Sequence, residues 1–220
     1  MPKYLHTYPA GPSIEFDAAQ NQPAMTTSFM ILTGGRSSRF GSDKSQIVFA
    51  GHTLMDRTLE SLPAGEVVIV GPSFKHGTRS IAFTQEDPKG GGPVAAIAAG
   101  LEKITSDLVV ILAIDMPYAG EIVPLLLSRS VDRDALIPAD SAGRVQPLCA
   151  IYQTSALRRA IIEIGDVSNK SMNLLLGELD SETLIVDPTV TSKLVDIDTQ
   201  ADLEKVLETY NLKREETEEE

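Results

Sequence analysis

The sequence predicts an α/β protein built on a mainly parallel sheet. Apolar runs of four to seven residues, typical of strands buried on both faces, alternate with stretches of helical periodicity. Two of the runs end in residues suited to a ligand, a glycine pair at Gly34 and Gly35 and an aspartate at Asp115. Because open α/β sheets bind their ligands beside the carboxyl ends of strands, we expect the functional site at this edge.

The individual elements follow from apolar periodicity and from the residues that start or stop them. Thr53 suits the start of a helix that ends before Pro63, and Pro93 suits the first position of another helix. The predicted strands cover residues 27–33, 66–71, 80–84, 108–114, 134–139 and 144–152. The predicted helices cover residues 53–62, 93–101, 154–164 with Thr154 as a possible cap, 169–176 and 199–207.

Length and composition bound the class of protein. A chain of 220 residues is of one-domain size and can bury a full core. No apolar run approaches the roughly 20 residues that span a bilayer, and the N-terminus lacks a signal-peptide pattern, so we expect a cytoplasmic protein with no membrane partner. The formal net charge of −12 opposes a nucleic-acid surface. The lone cysteine, Cys149, excludes an intrachain disulfide and is expected to be buried.

The predicted domain lies between two polar segments. Residues 1–26 contain four prolines and no sustained periodicity, so we expect a flexible extension. Residues 27–210 carry all the predicted strands and helices. Residues 211–220 are predicted to be an acidic, disordered tail, because five glutamates accompany only two cations in the last eight residues.

The stretch from Phe29 to Lys44 has the composition of a polyanion site. Gly34 and Gly35 allow the backbone to turn tightly, so its N–H groups can approach phosphate oxygens. Arg39 contributes a planar donor fork and Lys44 a compact ammonium. These residue types predict a cradle for a nucleoside triphosphate; the alternative is an ordinary glycine- and serine-rich turn after a strand.

The glycines form neither of the two common nucleotide motifs. The chain has no G-x-x-x-x-G-K-[ST] sequence, and Gly34, Gly35 and Gly41 are not spaced as G-x-G-x-x-G. The second predicted strand ends in Gly71 and Pro72, where a dinucleotide-binding protein carries a ribose-binding acid. A P-loop protein and an NAD-binding oxidoreductase are therefore disfavoured.

Two further segments have the chemistry of a nucleotide site. Asp87 and the glycines at 90–92 precede a helix that would bring free N–H groups to a ligand; the alternative is a tight loop before a closely packed helix. Asp115 follows seven apolar residues and precedes Pro117, where a carboxylate could hold Mg²⁺ together with substrate phosphates. The alternative for Asp115 is a helix N-cap.

The first motif resembles the signature of the molybdenum cofactor guanylyltransferase family of nucleotidyltransferases. That signature reads roughly L-x-G-G-x-S-x-R-x-G-x-D-K, and its fixed positions are matched by Leu32, Gly34, Gly35, Ser37, Arg39, Gly41, Asp43 and Lys44. The second glycine segment is similar to the family's D-x-x-x-G-x-G-P-L-x-G-I, with Val94 and Ala96 as departures, and Asp115 lies in what looks like its metal motif. Residues 195–203 resemble its closing N-x-N-T-P-E-D-L, with Asp198 where many members have Asn.

The resemblance covers about residues 28–207 and implies a fold, a reaction and a set of site residues. The implied fold is three-layer α/β/α, Rossmann-like, with a mainly parallel sheet and one antiparallel strand. The implied reaction transfers GMP from GTP to the terminal phosphate of molybdopterin with Mg²⁺ and releases pyrophosphate; we expect a monomer. The implied catalytic residues are Arg39, Lys44 and Asp115, with Asp115 on the metal. The implied nucleotide-binding residues are Leu32, Thr33, Gly34, Gly35, Lys44, Asp87, Gly92 and Asp115.

Several alternatives stay open on the sequence. A relative could use CTP, or a small phosphorylated acceptor other than molybdopterin, and a catalytically silent homologue could bind nucleotide as a regulator. An acceptor phosphate is already largely a dianion at neutral pH, so no histidine base is required. Lys170 could reach a phosphate of the second substrate or be a surface residue at a helix start. Asp198 could be a second metal ligand, but the sequence favours it as the cap of the last helix.

Overall fold

The computed structural model describes residues 25–34, 44–74 and 80–218. Most of the predicted N-terminal extension therefore lies outside the described residues. Its last residue, Thr26, is bound to the domain, because its N–H and its Oγ1 both donate to Asp107 Oδ2 at 2.9 Å.

The described elements alternate between strand and helix over most of the chain. The strands are β1 (Thr27–Leu32), β2 (Val48–Phe49), β3 (His52–Thr53), β4 (Val67–Val70), β5 (Ile81–Thr84), β6 (Leu108–Ala113), β7 (Ala135–Ala139), β8 (Cys149–Gln153) and β9 (Ser181–Ile185). The helices are α1 (Leu54–Ser61), α2 (Pro93–Leu101), α3 (Ala119–Leu127), α4 (Thr154–Ile164), α5 (Met172–Gly177), α6 (Pro188–Thr191) and α7 (Gln200–Glu218), with a 3-10 turn at Lys44–Gln46.

Seven of these strands form one sheet in the order β5-β4-β1-β6-β8-β7-β9, and β2 and β3 form a separate hairpin. Within the part of the sheet that is described, β8 runs antiparallel to both of its neighbours and all other adjacent pairs are parallel. The predicted mainly parallel sheet with one antiparallel strand is confirmed.

Helices cover both faces of the sheet because its central strands are apolar on both sides. Along β1, Phe29 and Ile31 belong to one buried cluster, which α1, α3 and α7 complete. Met30 and Leu32 belong to a second cluster, which α2, α4 and α5 complete. All residues of β4 and β6 are buried. Continuous apolar runs, rather than alternating ones, therefore mark the strands of this three-layer fold.

The parallel strands β5, β4, β1 and β6 end at one edge of the sheet. Leu32, the last residue of β1, is in register with Val70 of β4 and with Ala113 of β6. Val70 is in turn in register with Thr84, the last residue of β5. The residues that follow these strands therefore emerge side by side.

The helix start predicted at Thr53 is confirmed, whereas the possible cap at Thr154 is not. Thr53 caps α1, since its side chain accepts a hydrogen bond from the N–H of Asp56 at 3.0 Å. The cap predicted at Thr154 is wrong: β8 leads directly into α4, Gln153 is the N-cap, and Thr154 is already helical and buried.

Strand β8 is shorter than the predicted strand over residues 144–152. It begins at Cys149, whose N–H donates to the carbonyl of Gln146 at 3.1 Å, and before it Val145 makes only an isolated bridge to Ala139. Cys149 is buried as predicted, and burial raises the pKa of its thiol to about 12.

The prediction of a disordered tail is wrong for residues 211–218, because α7 continues to Glu218. Glu, Lys, Arg and Leu make up most of this segment and are good helix formers, so local propensity outweighs the excess of negative charge. α7 is too charged to be a membrane span, and none of the other helices within the described ranges is long and apolar enough to cross a bilayer.

The sequence analysis did not predict α3, β9 or the β2–β3 hairpin. α3 contains Pro124, a residue that usually ends a helix. Among the described strands, β9 pairs with β7 only and forms the edge of the sheet, so its residues are exposed or half-buried and lack an apolar run. Each element depends on contacts that local periodicity does not report.

Gly100→Ala should destabilise the fold, because Gly100 lets α2 pack closely on the sheet. A methyl group there would lie 2.6 Å from Sδ of Met30 and 3.0 Å from Cγ2 of Val70. We expect the free energy of unfolding in urea to fall by about 1–3 kcal/mol. Gly177→Ala in α5 is the matched control, since no atom of the described residues lies within 4 Å of the added methyl group. Equal stability of the two variants would contradict this packing.

Candidate functional site

A cleft of about 920 Å³ opens at the edge where β1, β4, β5 and β6 end. Its walls come from the residues after these strands, from the start of α2 and from the loop before α5. The lining residues are Leu32, Thr33, Gly34, Lys44, Gly71, Pro72, Gln85, Glu86, Lys89, Gly90, Gly92, Pro93, Ala96, Ala113, Ile114, Asp115, Leu148, Asn169, Lys170, Ser171 and Met172. The cleft occupies the place where open α/β sheets bind ligands.

The segment after β1 is held in place by its neighbours in the sheet. The N–H of Thr33 donates to the carbonyl of Val70 at 3.1 Å, and its Oγ1 donates to the same carbonyl at 3.0 Å. A Cβ on Gly71 would lie 1.8 Å from Thr33 Oγ1. The threonine hydroxyl therefore fits at position 33 because the facing residue is glycine.

Lys44 lines the cleft and joins two carboxylates, of which Asp115 also lines it. Its Nζ lies 2.9 Å from Asp115 Oδ2 and 2.6 Å from Asp198 Oδ1. The Lys44 side chain is only 12% exposed, against 24% for Asp115 and 53% for Asp198. Burial by itself lowers the pKa of Lys44, but the hydrogen bonds to Asp198 and Asp115 outweigh it and raise the pKa above its ordinary value.

Asp198 reaches Lys44 because the chain before α7 is bound to the end of β6. The N–H of Ile197 donates to the carbonyl of Asp115 at 2.9 Å. The cap predicted at Asp198 is wrong, since Thr199 and Asp202 form a reciprocal capping box: the N–H of Asp202 donates to Thr199 Oγ1 at 3.2 Å, and the N–H of Thr199 donates to Asp202 Oδ2 at 2.7 Å. The Asp198 carboxylate is thereby left to face the cation.

A third aspartate shows that this region is rich in negative charge. Desolvation raises the pKa of Asp196, and the charges of Asp198 and Asp115 raise it further. Like charges at this spacing favour a bound cation. In the structure described here that cation is the ammonium of Lys44.

The glycine segment after β5 contributes an acid, but not the one that the sequence predicts. Asp87 is exposed and lies outside the cleft lining, whereas Glu86 is buried and lines it. Glu86 Oε1 accepts a hydrogen bond from the N–H of Gly90 at 3.0 Å. α2 then begins at Pro93 as predicted, with Gly92 as its N-cap at φ 90°.

The loop before α5 forms the opposite wall of the cleft. The N–H of Asn169 donates to the carbonyl of Gly91 at 2.6 Å, which fastens this loop to the glycine segment. Lys170 lines the cleft, as does Lys89 from the glycine segment. Ser171 caps α5 by accepting from the N–H of Leu174.

The structure brings most of the described candidate residues together and leaves one apart. Asp87 alone among them stays outside the cleft. Two candidates, Gly35 and Arg39, lie outside the described residues. The cleft contains Leu32, Thr33, Gly34, Lys44, Gly92 and Asp115.

The sequence analysis missed Glu86 as a residue of the cleft. For Asp198, it favoured a structural role as a helix cap over a role as a metal ligand. Two adjacent acids follow β5, and sequence alone does not show which of them turns toward the cleft. For Asp198, the signal was present in Thr199 and Asp202, whose spacing is that of a capping box. That spacing indicates that Thr199 rather than Asp198 caps α7, which leaves the Asp198 side chain available for another role.

Lysine, carboxylates and a helix N-terminus at the ends of parallel strands suit phosphate groups that are held together with a metal ion. The fold and the cleft therefore define an α/β protein of the nucleotide-binding class. Comparison with known proteins narrows this class.

The sequence-family model of the MobA-like NTP transferase domain matches residues 29–180 of this chain. A Bacillus subtilis protein named "Probable molybdenum cofactor guanylyltransferase" is 34% identical over 56% of this chain and 65% of its own length. A protein of the same name from Chloroflexus aggregans is 29% identical over 84% of this chain and 95% of its own. The crystal structure of molybdopterin-guanine dinucleotide biosynthesis protein A from Archaeoglobus fulgidus superposes with a TM-score of 0.65 at 25% identity, covering 84% of this chain and 98% of that one.

The chain belongs to the MobA-like NTP transferase family, and is thus a nucleotidyltransferase. The family and the enzyme class predicted from the sequence motifs are confirmed. The three-layer fold predicted with them is confirmed as well.

In alkaline solution, the free energy of unfolding of the wild type should fall more steeply with pH than that of a variant without Lys44. The pKa of Lys44 in the folded state lies above the ordinary value of 10.5, so its ion pairs stabilise fully below that pH and lose their effect as pH rises through the folded pKa. We expect the wild type to be more stable than Lys44→Met at neutral pH, and the difference between their free energies of unfolding to shrink above pH 10.5.

The matched control is Lys103→Met, because Lys103 is exposed and its side chain makes no ion pair within the described ranges. This variant should track the wild type at every pH in the same urea titrations. If the difference in free energy of unfolding between the wild type and Lys44→Met does not change with pH, the ion pairs of Lys44 do not contribute to stability as described.

Proposed function

We propose that this protein transfers GMP from GTP to the terminal phosphate of molybdopterin, with Mg²⁺, and releases pyrophosphate. The observation that carries the proposal is the contact of Lys44, a residue of the cleft wall, with both Asp115 and Asp198. Nucleotidyl transfer needs opposite charge around the phosphates and an aligned acceptor, and this cleft offers groups for both. The names of the bacterial relatives and of the archaeal structure support guanine as the base and the molybdenum cofactor as acceptor.

The triphosphate would bind at the end of the cleft that holds Lys44 and the segment after β1. A lysine ammonium on a flexible stem can exchange a carboxylate for a phosphate oxygen without moving the backbone. Gly34 lines the same cleft, and its lack of a side chain leaves room for close approach of the nucleotide to the main chain. We assign Gly35 and Arg39 to the same cradle on the strength of the motif they complete.

Asp115 and Asp198 fit a magnesium ion. Both already contact a single cationic atom, so their carboxylates face one point from two different elements. Carboxylate oxygens together with substrate phosphates are the ligands that Mg²⁺ prefers. When bound, the ion would offset the negative charge of the phosphates.

The acceptor would attack without a protein base. An oxygen of its phosphate forms a bond to the α-phosphorus of GTP, the bond from that phosphorus to the bridging β-phosphate oxygen breaks, and pyrophosphate leaves. Such a phosphate is largely a dianion at neutral pH, so no proton needs to be removed. The one histidine in the described ranges, His52, lines a different pocket. Lys89 and Lys170 are the cations that we assign to the acceptor phosphate.

Pyrophosphate release tests the reaction directly. The protein is incubated with Mg²⁺ and each of the four NTPs, with and without molybdopterin. We expect release only with GTP and molybdopterin together. Release with CTP would instead indicate a cytidylyltransferase, and binding of GTP without release under any condition would indicate a non-catalytic nucleotide-binding protein.

Asp115→Asn should reduce turnover by on the order of a hundredfold or more, because it removes a charge on which the phosphates and the metal depend. The melting temperature should stay within a few degrees of the wild type, since Lys44 keeps its contact with Asp198. Undiminished pyrophosphate release by a folded Asp115→Asn protein would refute the assigned role of Asp115.

Asp198→Ala should weaken binding of Mn²⁺, used as a paramagnetic substitute for Mg²⁺, in the presence of GTP. Loss of one ligand from a two-carboxylate site should lower the affinity by about tenfold or more. The binding is measured by electron paramagnetic resonance. The control is Asp132→Asn, since Asp132 is an exposed loop residue outside the cleft. Equal Mn²⁺ affinity of both variants would restrict the metal site to Asp115.

A further inference from the structure

The most unusual group in the cleft is the carboxylate of Glu86. The residue is only 7% exposed although it carries a charge-bearing side chain. Its Oε1 accepts from the N–H of Gly90, but its Oε2 is buried and has no hydrogen-bond partner among the described residues. Glu86 lines the cleft, so its carboxylate stands in the wall that a ligand would contact.

An unpartnered carboxylate oxygen is costly inside a protein. Buried polar atoms are almost always hydrogen-bonded, and those that are not commonly occur at functional sites. No lysine or arginine in the described part of the chain forms an ion pair with Glu86. A ligand that donates hydrogen bonds would therefore satisfy this group.

The position of Glu86 decides which part of a nucleotide it can meet. Its carboxylate packs against Gly34, where an added Cβ would lie 3.4 Å from Oε1 and 3.9 Å from Oε2. Repulsion between like charges keeps phosphate oxygens away from this carboxylate. An uncharged part of the nucleotide, the base or the ribose, must therefore face it.

We propose that Glu86 selects guanine by accepting hydrogen bonds from its N1–H and its 2-amino group; the inference rests on the proposed function. Guanine is the only one of the four common bases with two adjacent donors on its pairing edge. Cytosine, adenine and uracil each have a hydrogen-bond acceptor next to their donor. That acceptor would face a carboxylate oxygen, and the two would repel each other. A site built around such hydrogen bonds rejects a ligand that lacks them.

Gly90 holds the carboxylate ready for this role. The N–H of Gly90 donates a hydrogen bond to Oε1 of Glu86 and so uses one of its lone pairs. Gly90 has φ 77°, a backbone conformation that favours glycine. Each carboxylate oxygen has a second lone pair, so Oε1 can still accept from the base while Oε2 accepts from the neighbouring donor. Asp87 cannot substitute, because it is exposed and outside the cleft.

Nucleotide analogues test the inference on the unaltered protein. Binding of GTP, ITP, 2′-deoxy-GTP and CTP is measured by isothermal titration calorimetry with Mg²⁺ and without acceptor. ITP differs from GTP only in lacking the 2-amino group, so we expect it to bind about tenfold more weakly. 2′-Deoxy-GTP should bind within about twofold of GTP. Equal binding of GTP and ITP would overturn the role of Glu86.

Variants assign the preference to the residue. Glu86→Gln keeps the size of the side chain but presents a donor beside an acceptor, so the ratio of GTP to ITP affinity should fall toward one. The neighbouring Asp87→Asn is the matched control and should keep the wild-type ratio. A purely structural role for Glu86 would lower the melting temperature of Glu86→Gln and leave the ratio unchanged, which would also overturn the inference. Should Glu86→Gln not fold, the analogue comparison on the wild type decides.

The outcomes separate this inference from the proposed function. Preference for CTP over GTP would defeat the guanylyl transfer proposed above and the guanine role of Glu86 with it. Preference for GTP over CTP with equal binding of GTP and ITP would leave the proposed function intact and remove Glu86 from base selection. If Glu86 discriminates between GTP and 2′-deoxy-GTP instead of between GTP and ITP, the ribose lies at this carboxylate. That outcome would overturn the proposal.

Discussion

The parallel pairing of β1 with β6 is the constraint on which the site depends. It places Leu32 in register with Ala113, and the ladder continues past the strand ends, where the N–H of Ile114 donates to the carbonyl of Leu32 at 3.1 Å. The glycine segment and Asp115, far apart in sequence, therefore emerge together. Both strands are almost wholly buried, so their ends form a rigid base for groups that must be held to within a fraction of an ångström.

Local charge balance explains how an acidic protein can hold a polyanion. The chain has a formal net charge of −12, yet its cleft contains Lys44, Lys89 and Lys170. Lys44 is paired with two aspartates. In the proposed reaction, Asp115 and Asp198 would hold the metal ion, and Lys44 would contact the phosphates.

The elements of the fold differ in how far local sequence specifies them. β1, β4 and β6 are continuous apolar runs between polar residues, and Thr53, Pro93 and the glycines before Pro93 mark helix starts, so all of these were predictable. β9 was not, because an edge strand gains its place from pairing with β7 rather than from its own pattern. The extension of α7 to Glu218 was missed for the opposite reason: charge suggested disorder, whereas helix propensity prevailed.

The sequence by itself indicated the class of chemistry, because the segment with Gly34, Arg39 and Lys44 resembles the signature of a nucleotidyltransferase family. Only the tertiary structure decided which acids line the cleft or contact Lys44. Glu86 rather than Asp87 enters the cleft, because the turn after β5 directs one side chain inward and its neighbour to solvent. Asp198 reaches Lys44 because Ile197 is hydrogen-bonded to Asp115, a contact between residues that are distant along the chain. Side-chain direction and long-range contact are properties of the folded backbone, and residue types do not encode them locally.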